Sequence, residues 1–279
     1  MFEILEAFIK YIQFDEGRSK NTCLSYERDL RQFIEWTESN LGISRAADVS
    51  ESGIMAFVSH LKDEGKSAAT ISRSIASIKA FFAYSAAKSL IISDPAADVH
   101  PPKVIKKAPK IASSIDVEKL LRQPDDSTPK GLRDRAMLSL MYDTGMRVSE
   151  LIGLDTDDID LKRRTADIRT SRPRTVPFGR KTARLMSRYL KEVREELLQD
   201  SDTDAFFVNC TDGTAMTRQG FWKVIKKYGR DAGIGTEITP HMLRHSFAAH
   251  AIRNGEDLKK VQSILGHSDA STTSEYAEL

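Results

Sequence analysis

The chain has 279 residues, with 42 Lys and Arg against 40 Asp and Glu, a formal net charge of +2 and 40% hydrophobic residues. That is enough for one large or two ordinary domains with real apolar cores, and it excludes a disordered chain and a disulfide-stapled miniature fold. Two isolated cysteines, no apolar run near the ~18–20 residues of a membrane span, and a start (MFEILEAFIK) without a signal peptide's basic-then-apolar order point to a cytoplasmic protein with no membrane partner.

The first hundred residues read as helical. Phe2, Leu5, Phe8, Ile9 and Ile12 recur at helical spacing, as do Leu30, Phe33 and Ile34 in a second segment that Ser19 or Asn21 can cap. Ser50 starts a third, with Ile54, Phe57, Val58 and Leu61, ended by Gly65. A fourth begins near Ser67, carries Ile71, Ile75, Ile78 and Phe82, and is expected to stop at Asp94-Pro95. Four amphipathic helices with short connections make a small bundle over 1–99. Residues 100–112 hold three prolines and four lysines, Lys103, Lys106, Lys107 and Lys110, with no acid, and read as an extended basic linker whose lysines suit a phosphate backbone.

Beyond the linker, 113–279 has a mixed pattern. Helices are expected near 114–122 and 131–144, then strands at Thr165–Arg169, Arg174–Phe178 and Phe206–Asn209, and helices near 179–199 and 217–232. Thr239-Pro240 is a helix start and Asn254-Gly255 a stop. The fold class is therefore mainly α: a helical bundle followed by a mostly helical domain with a small β-sheet. Residues 161–194 hold 12 Lys and Arg against Asp167 and Glu192 alone, and Arg218, Lys223, Lys226, Lys227 and Arg230 form a second basic cluster on a segment that also carries Phe221 and Trp222. Acidic stretches such as Asp155, Asp157, Asp158 and Asp160 offset them. Charge segregated in this way marks a polyanion-binding face on a balanced surface, although solvated helix faces produce the same statistics.

Three short segments carry the residue types of phosphate chemistry. In His241-Met242-Leu243-Arg244 an imidazole and a guanidinium three apart share one face beside a helix N-terminus, the parts needed to hold a phosphate and exchange a proton with it. Reading His241 and His245 as metal ligands instead is disfavoured, because the zincin Glu is missing and Arg244 would repel a cation. In Thr144-Gly145-Met146-Arg147-Val148-Ser149-Glu150-Leu151, Arg147 follows a helix stop at Gly145 and Glu150 can brace it; an ordinary surface ion pair is the bland alternative. Leu265-Gly266-His267-Ser268 is a helix end followed by a histidine, and Tyr276 comes nine residues later, on a short helix expected from Ser271.

Together, T-G-M-R-V-S-E-L, H-M-L-R-H-S-F-A and L-G-H-S followed by Tyr276 resemble the signature of the tyrosine recombinases, the integrase family, and its Xer-like branch, over nearly the whole chain. The resemblance implies a helical core-binding domain at 1–99, a linker at 100–112 and a catalytic domain at 113–279. It makes Tyr276 the nucleophile that forms a 3′-phosphotyrosyl link, with Arg147 and Arg244 clamping the scissile phosphate and His241 and His267 bonding it or moving protons, without ATP, metal or other cofactor. Lys103, Lys106, Lys107, Arg169, Arg172, Arg174, Arg218, Lys223 and Lys226 become DNA-contacting candidates, the two domains closing on the duplex as a clamp. The implied partner is a double-stranded recombination site, on which the chain assembles as a homo-oligomer, a tetramer in the synapse, from a free monomer or weak dimer.

Two features depart from the family pattern. A G-K-G-x-K-x-R-like turn with a catalytic Lys is expected before Val176-Pro177-Phe178, but Arg169-Thr170-Ser171-Arg172-Pro173-Arg174 is shorter and has no lysine, and a guanidinium is a poor proton donor. Only Ala277, Glu278 and Leu279 follow Tyr276, where Xer-like relatives continue into a helix that docks on a neighbouring protomer. The functional expectation is Xer-like resolution of chromosome or plasmid dimers. The alternatives are a mobile-element integrase, type IB topoisomerase-like relaxation, and a catalytically impaired DNA-binding relative.

Overall fold

The computed structural model describes residues 1–103, 108–170, 172–266 and Tyr276. The chain divides into two compact units, Met1–Lys106 and Lys107–Leu279.

In the first unit, α1 (Phe2–Phe14), α2 (Lys20–Leu41), α3 (Glu51–Asp63) and α4 (Ala68–Ala87) enclose a core of Leu5, Phe8, Leu30, Phe33, Ile54, Phe57, Ile75, Ile78, Phe81 and Phe82. Three of the four helices start on a serine whose hydroxyl accepts a backbone N–H of the first turn: Ser19 from Thr22, Ser50 from Gly53 and Ser67 from Thr70. The buried Asp29 of α2 accepts a two-pronged bond from Arg73 of α4 at 2.8 and 2.9 Å, which fixes the two helices in register. Helix α4 ends at Ala87, earlier than Asp94-Pro95 suggested. Ser89 takes a left-handed conformation (φ 56°) and Leu90 N–H returns to Ser85 O, so the helix closes in a Schellman-like turn without waiting for the proline. The following turns fold back on α4, where Lys79 Nζ donates to the carbonyls of Ala97 and Val99.

The second unit opens with α5 (Ser114–Arg122) and the largely buried α6 (Pro129–Thr144), followed by the short α7 (Val148–Ile152). A three-stranded antiparallel sheet of β1 (Ile159–Asp160), β2 (Thr165–Ile168) and β3 (Arg174–Pro177) comes next, with Ile168 opposite Arg174. Then come α8 (Arg180–Arg188), α9 (Arg194–Leu198), α10 (Arg218–Asp231), α11 (Pro240–Arg253) and α12 (Leu258–Leu265). A π-helical turn at Tyr189–Val193 separates α8 from α9, where the sequence suggested one helix. It seats the fully buried Tyr189 ring against Phe206 and Phe207, and burial pushes its phenol up to about 12.

The expected strand at Phe206–Asn209 is not one. Its backbone bonds are divided among unlike partners: Phe207 O accepts the Met216 N–H and the Asn209 N–H donates to Thr214 O, while the carbonyls of Phe206 and Val208 accept from Arg194 and Arg133. Only isolated bridges remain, Asp155 with Ala205 and Val208 with Ala215. Arg133 also pairs with Asp134, which accepts from Tyr228 Oη at 3.0 Å and so joins α6 to α10. Among the described residues, no helix is long and apolar enough to cross a membrane.

The first unit rests on its aromatic core, where Phe82 is fully buried with edge-on contacts to Phe33 and Phe81. Phe82→Ala should cost about 3–5 kcal/mol of unfolding free energy; denaturant titration of the full chain checks this, and a loss below about 1 kcal/mol would contradict a tightly packed bundle.

Candidate phosphodiester-transfer site

Two elements of the second unit, α7 and β3, meet at one buried carboxylate. Glu150, on α7, is 4% exposed. Its Oε2 accepts the Arg147 backbone N–H at 2.7 Å, and its Oε1 accepts Arg147 Nη1 at 3.0 Å. From the start of β3, Arg174 closes the other side with bonds of 3.0 and 2.8 Å to the two oxygens. Burial pushes the Glu150 carboxyl up, but the hydrogen bonds from Arg174 and from the Arg147 backbone, with the charges of both arginines, leave it below the ordinary carboxylate value. Arg147 is thereby anchored at its root while 44% of its side chain stays exposed.

Arg244 approaches from α11. It is 5% exposed, and its guanidinium donates to the carbonyls of Gly145, at the end of α6, and Leu265, at the end of α12. Both carbonyls belong to helix C-termini closed by left-handed glycines, Gly145 (φ 57°) and Gly266 (φ 66°). A Cβ on Gly145 would clash, 2.4 Å from Phe247, and one on Gly266 would crowd the Arg174 guanidinium at 3.0 Å, in both cases on a left-handed backbone that favours glycine. Desolvation, with repulsion from Arg147, lowers Arg244 to about 10, so it stays charged at neutral pH.

His241 sits one turn before Arg244, just inside α11, whose N-cap Thr239 accepts from Met242 N–H. It lies below the ordinary imidazole value because it is partly desolvated and because Arg218, Arg244 and Arg147 all bear on it. Three guanidinium groups acting on one imidazole define a point where an anion is wanted. Tyr276 is 2% exposed among Ala248, Ala249, Val261 and Leu265, with its hydroxyl on His245 Nδ1. Its charge is felt by Arg244, so phenol and guanidinium share one neighbourhood.

Of the residues singled out in the sequence, Arg147, Arg244, His241 and Tyr276 lie in this one unit, while His267 is outside the described residues. Arg218 is exposed and near enough to act on His241. Lys223 is exposed on α10, and Lys226 pairs with Glu237 and lies over the Trp222 ring. Arg169 pairs with the buried Asp158, and Arg172 is exposed with a 3.3 Å bond to Gly266 O. Arg174 differs from expectation: only 9% of its side chain is exposed, and it is spent on Glu150 and on Ile264 O (2.7 Å), an internal brace and not a surface cation. Lys103 is exposed; Lys106 and Lys107 lie outside the described residues. His245 directly follows Arg244 in the H-M-L-R-H segment, and no local signal in the sequence marks its partner Tyr276, 31 residues away.

The Phage integrase family model matches residues 113–279, and a model for the Phage integrase, N-terminal SAM-like domain matches residues 5–89. The chain is 38% identical over 281 residues to Tyrosine recombinase XerD of Listeria monocytogenes serotype 4b, covering all of this chain and 95% of the relative. It is 40% identical to Tyrosine recombinase XerD of Oceanobacillus iheyensis, covering 99% and 93%. Among solved structures, a lambda integrase dimer bound to a core site matches with a TM-score of 0.76 at 18% identity, covering 99% of this chain and 94% of that one.

The depressed His241 value has a testable origin. Removing one of the surrounding positive charges favours the imidazolium, so Arg218→Ala should raise the His241 titration midpoint toward the ordinary imidazole value. Adding a short DNA duplex should raise it as well. Histidine NMR titration reads both, and a midpoint that moves in neither experiment would show that the arginines do not act on this ring.

Proposed function

The chain belongs to the phage integrase family, and from that premise we propose how its residues divide the work of a tyrosine recombinase. It is an Xer-like site-specific recombinase that cuts and rejoins DNA strands. Residues 1–99 serve as the core-binding domain, 100–112 as the basic linker and 113–279 as the catalytic domain.

Tyr276 Oη attacks the scissile phosphorus, a P–O bond forms to tyrosine, and the bond to the 5′ oxygen breaks. The 5′ oxygen leaves as a hydroxyl once it takes a proton, and the strand remains joined to the protein through its 3′ phosphate. Rejoining is the same displacement run backwards by a 5′-hydroxyl from another strand, so the phosphotyrosine conserves the bond energy. Negative charge rises on the nonbridging oxygens in the transition state. Arg147 and Arg244, both fixed by hydrogen bonds before DNA arrives, stabilise it without reorganising at the moment of reaction. His241, whose imidazolium is disfavoured in the free protein by desolvation and then by its arginine neighbours, becomes a better proton carrier when a phosphate dilutes their field. The observation that carries this reading is the convergence of Arg147 and Arg244 on His241, with Tyr276 near enough to act on Arg244. His267 is proposed to join them at the phosphate.

Exposed Arg218, Lys223 and Arg172, together with Lys103, Lys106, Lys107, Arg169 and Lys226, are proposed DNA contacts; Arg174 is withdrawn from that set because its guanidinium is taken up by Glu150 and Ile264 O. The cellular task proposed is resolution of chromosome or plasmid dimers in the cytoplasm, by likeness to the XerD relatives; two free cysteines fit a reducing compartment. The DNA-bound assembly is proposed to be a homo-oligomer, in line with the lambda integrase dimer on its core site.

A DNA substrate nicked near the scissile bond, so that the cleaved fragment diffuses away, should accumulate a covalent complex on Tyr276 that Tyr276→Phe abolishes. No complex with the native chain, or an undiminished one with the Phe variant, would refute the assignment. The lysine-free hairpin makes a second prediction: inserting a Gly-Lys-Gly turn between β2 and β3 should speed cleavage about tenfold or more, the scale of one general acid, and equal rates would show that the turn does not limit cleavage. Affinity for DNA should fall steeply as salt rises; a flat response between low and physiological ionic strength would contradict phosphate contacts by the basic clusters.

A further inference from the structure

Tyr276 does not sit alone. Its Oη lies 2.5 Å from His245 Nδ1, with the ring centroids 5.5 Å apart and tilted by 41°. We propose that His245 is a further catalytic residue of this site: it holds the Tyr276 hydroxyl and takes its proton as the phenolic oxygen attacks phosphorus. The proposal rests on the reading of Tyr276 as nucleophile.

A phenol with an ordinary pKa near 10 is a weak nucleophile at neutral pH, and the attack needs somewhere for the proton to go. Ala248, Ala249, Val261 and Leu265, packed on the Tyr276 ring, carry no proton acceptor in their side chains. His245 does. With the imidazole neutral and protonated on Nε2, Nδ1 is an acceptor and the phenol donates to it.

The placement is rigid. His245 directly follows Arg244, which is pinned to the carbonyls of Gly145 and Leu265, and Ser246 on its other side donates to Met242 O and accepts the Ala112 N–H. One turn of α11 thus presents His241 and Arg244 for the phosphate and His245 for the nucleophile. The balance is closed: the Oη–H bond breaks with its proton going to Nδ1, the Oη lone pair forms the O–P bond, and the P–O5′ bond breaks as the 5′ oxygen takes the proton carried by the His241 imidazolium. On rejoining, the His245 imidazolium returns its proton to Oη as tyrosine leaves.

The test is the rate of covalent complex formation on the nicked substrate. His245→Asn is the informative variant, because its side-chain amide reaches the Nδ1 position and accepts the hydroxyl but does not take up a proton. It should slow cleavage about 10²-fold or more, with DNA affinity by gel shift unchanged. The defect should persist on a substrate whose 5′ bridging oxygen is replaced by sulfur, since a thiolate leaves without a proton and relieves only defects at the leaving group. Added imidazole should recover part of the activity of His245→Ala. If the Asn variant does not fold, His245→Ala gives the reading through its response to added imidazole and to the sulfur substrate.

Wild-type rates in the Asn variant would overturn the proposal. So would full relief by the sulfur substrate, which would move the role to the leaving group, or faster cleavage, which would make His245 a restraint on Tyr276. If the native chain forms no covalent complex at all, Tyr276 fails as nucleophile and this proposal falls with it; native cleavage matched by an equally fast Asn variant strikes His245 alone.

Discussion

The site depends on one buried carboxylate. Glu150 is enclosed on α7, and an unpaired charge there would be untenable; two arginines from different parts of the chain make it affordable. The consequence is geometric. Because both oxygens are spoken for, the root of Arg147 and the guanidinium of Arg174 have essentially one position each, and Arg174 in turn fixes the end of α12 through Ile264 O. With its carboxyl held below the ordinary value, Glu150 contributes stability that is present above the carboxylate range and lost as pH falls through it. Acid should therefore loosen the phosphate clamp and the α12 end together.

Arg244 repeats this logic with neutral acceptors. Its two bonds go to carbonyls that helices α6 and α12 leave unpaired at their C-termini, where the negative ends of two helix dipoles meet the cation. Those ends are available because Gly145 and Gly266 turn the chain away in a conformation that L residues resist. A side chain at either would strike Phe247 or crowd Arg174. Two glycines of the T-G-M-R and L-G-H-S segments are thus structural parts of the arginine clamp.

Much of this was legible from residue order. Ser19, Ser50, Ser67 and Thr239 act as caps because a hydroxyl before an amphipathic run has one favourable use, and local signals of that kind survive folding intact. What the sequence hid was long-range. Phe206–Asn209 has strand composition, but Arg133, 75 residues before Val208, and Arg194 take two of its four carbonyls. Arg174 counted as one of 12 cations in a basic segment, and only the approach of α7 turns it inward. The end of α4 was misplaced because a serine took the left-handed turn usually left to glycine. His245 was overlooked because its role depends on a tyrosine 31 residues away.

The net charge of +2 is a poor guide to the field at this site. Of the acids that balance the 42 basic residues, many are spent locally, as Asp29 is on Arg73, Asp134 on Arg133 and Asp158 on Arg169. At His241 the balance is different: Arg218, Arg244 and Arg147 all bear on the ring, whereas Glu150, the carboxylate in their midst, is shared between Arg147 and Arg174. A chain with almost no charge at long range thus keeps a strongly positive point at short range. Such a chain is drawn only weakly to DNA as a whole, and gains its electrostatic binding where a phosphate reaches the arginines. A phosphate arriving there relieves the repulsion that, after desolvation, disfavours the His241 imidazolium. The anion that must be cleaved is therefore also what readies the imidazole to carry a proton.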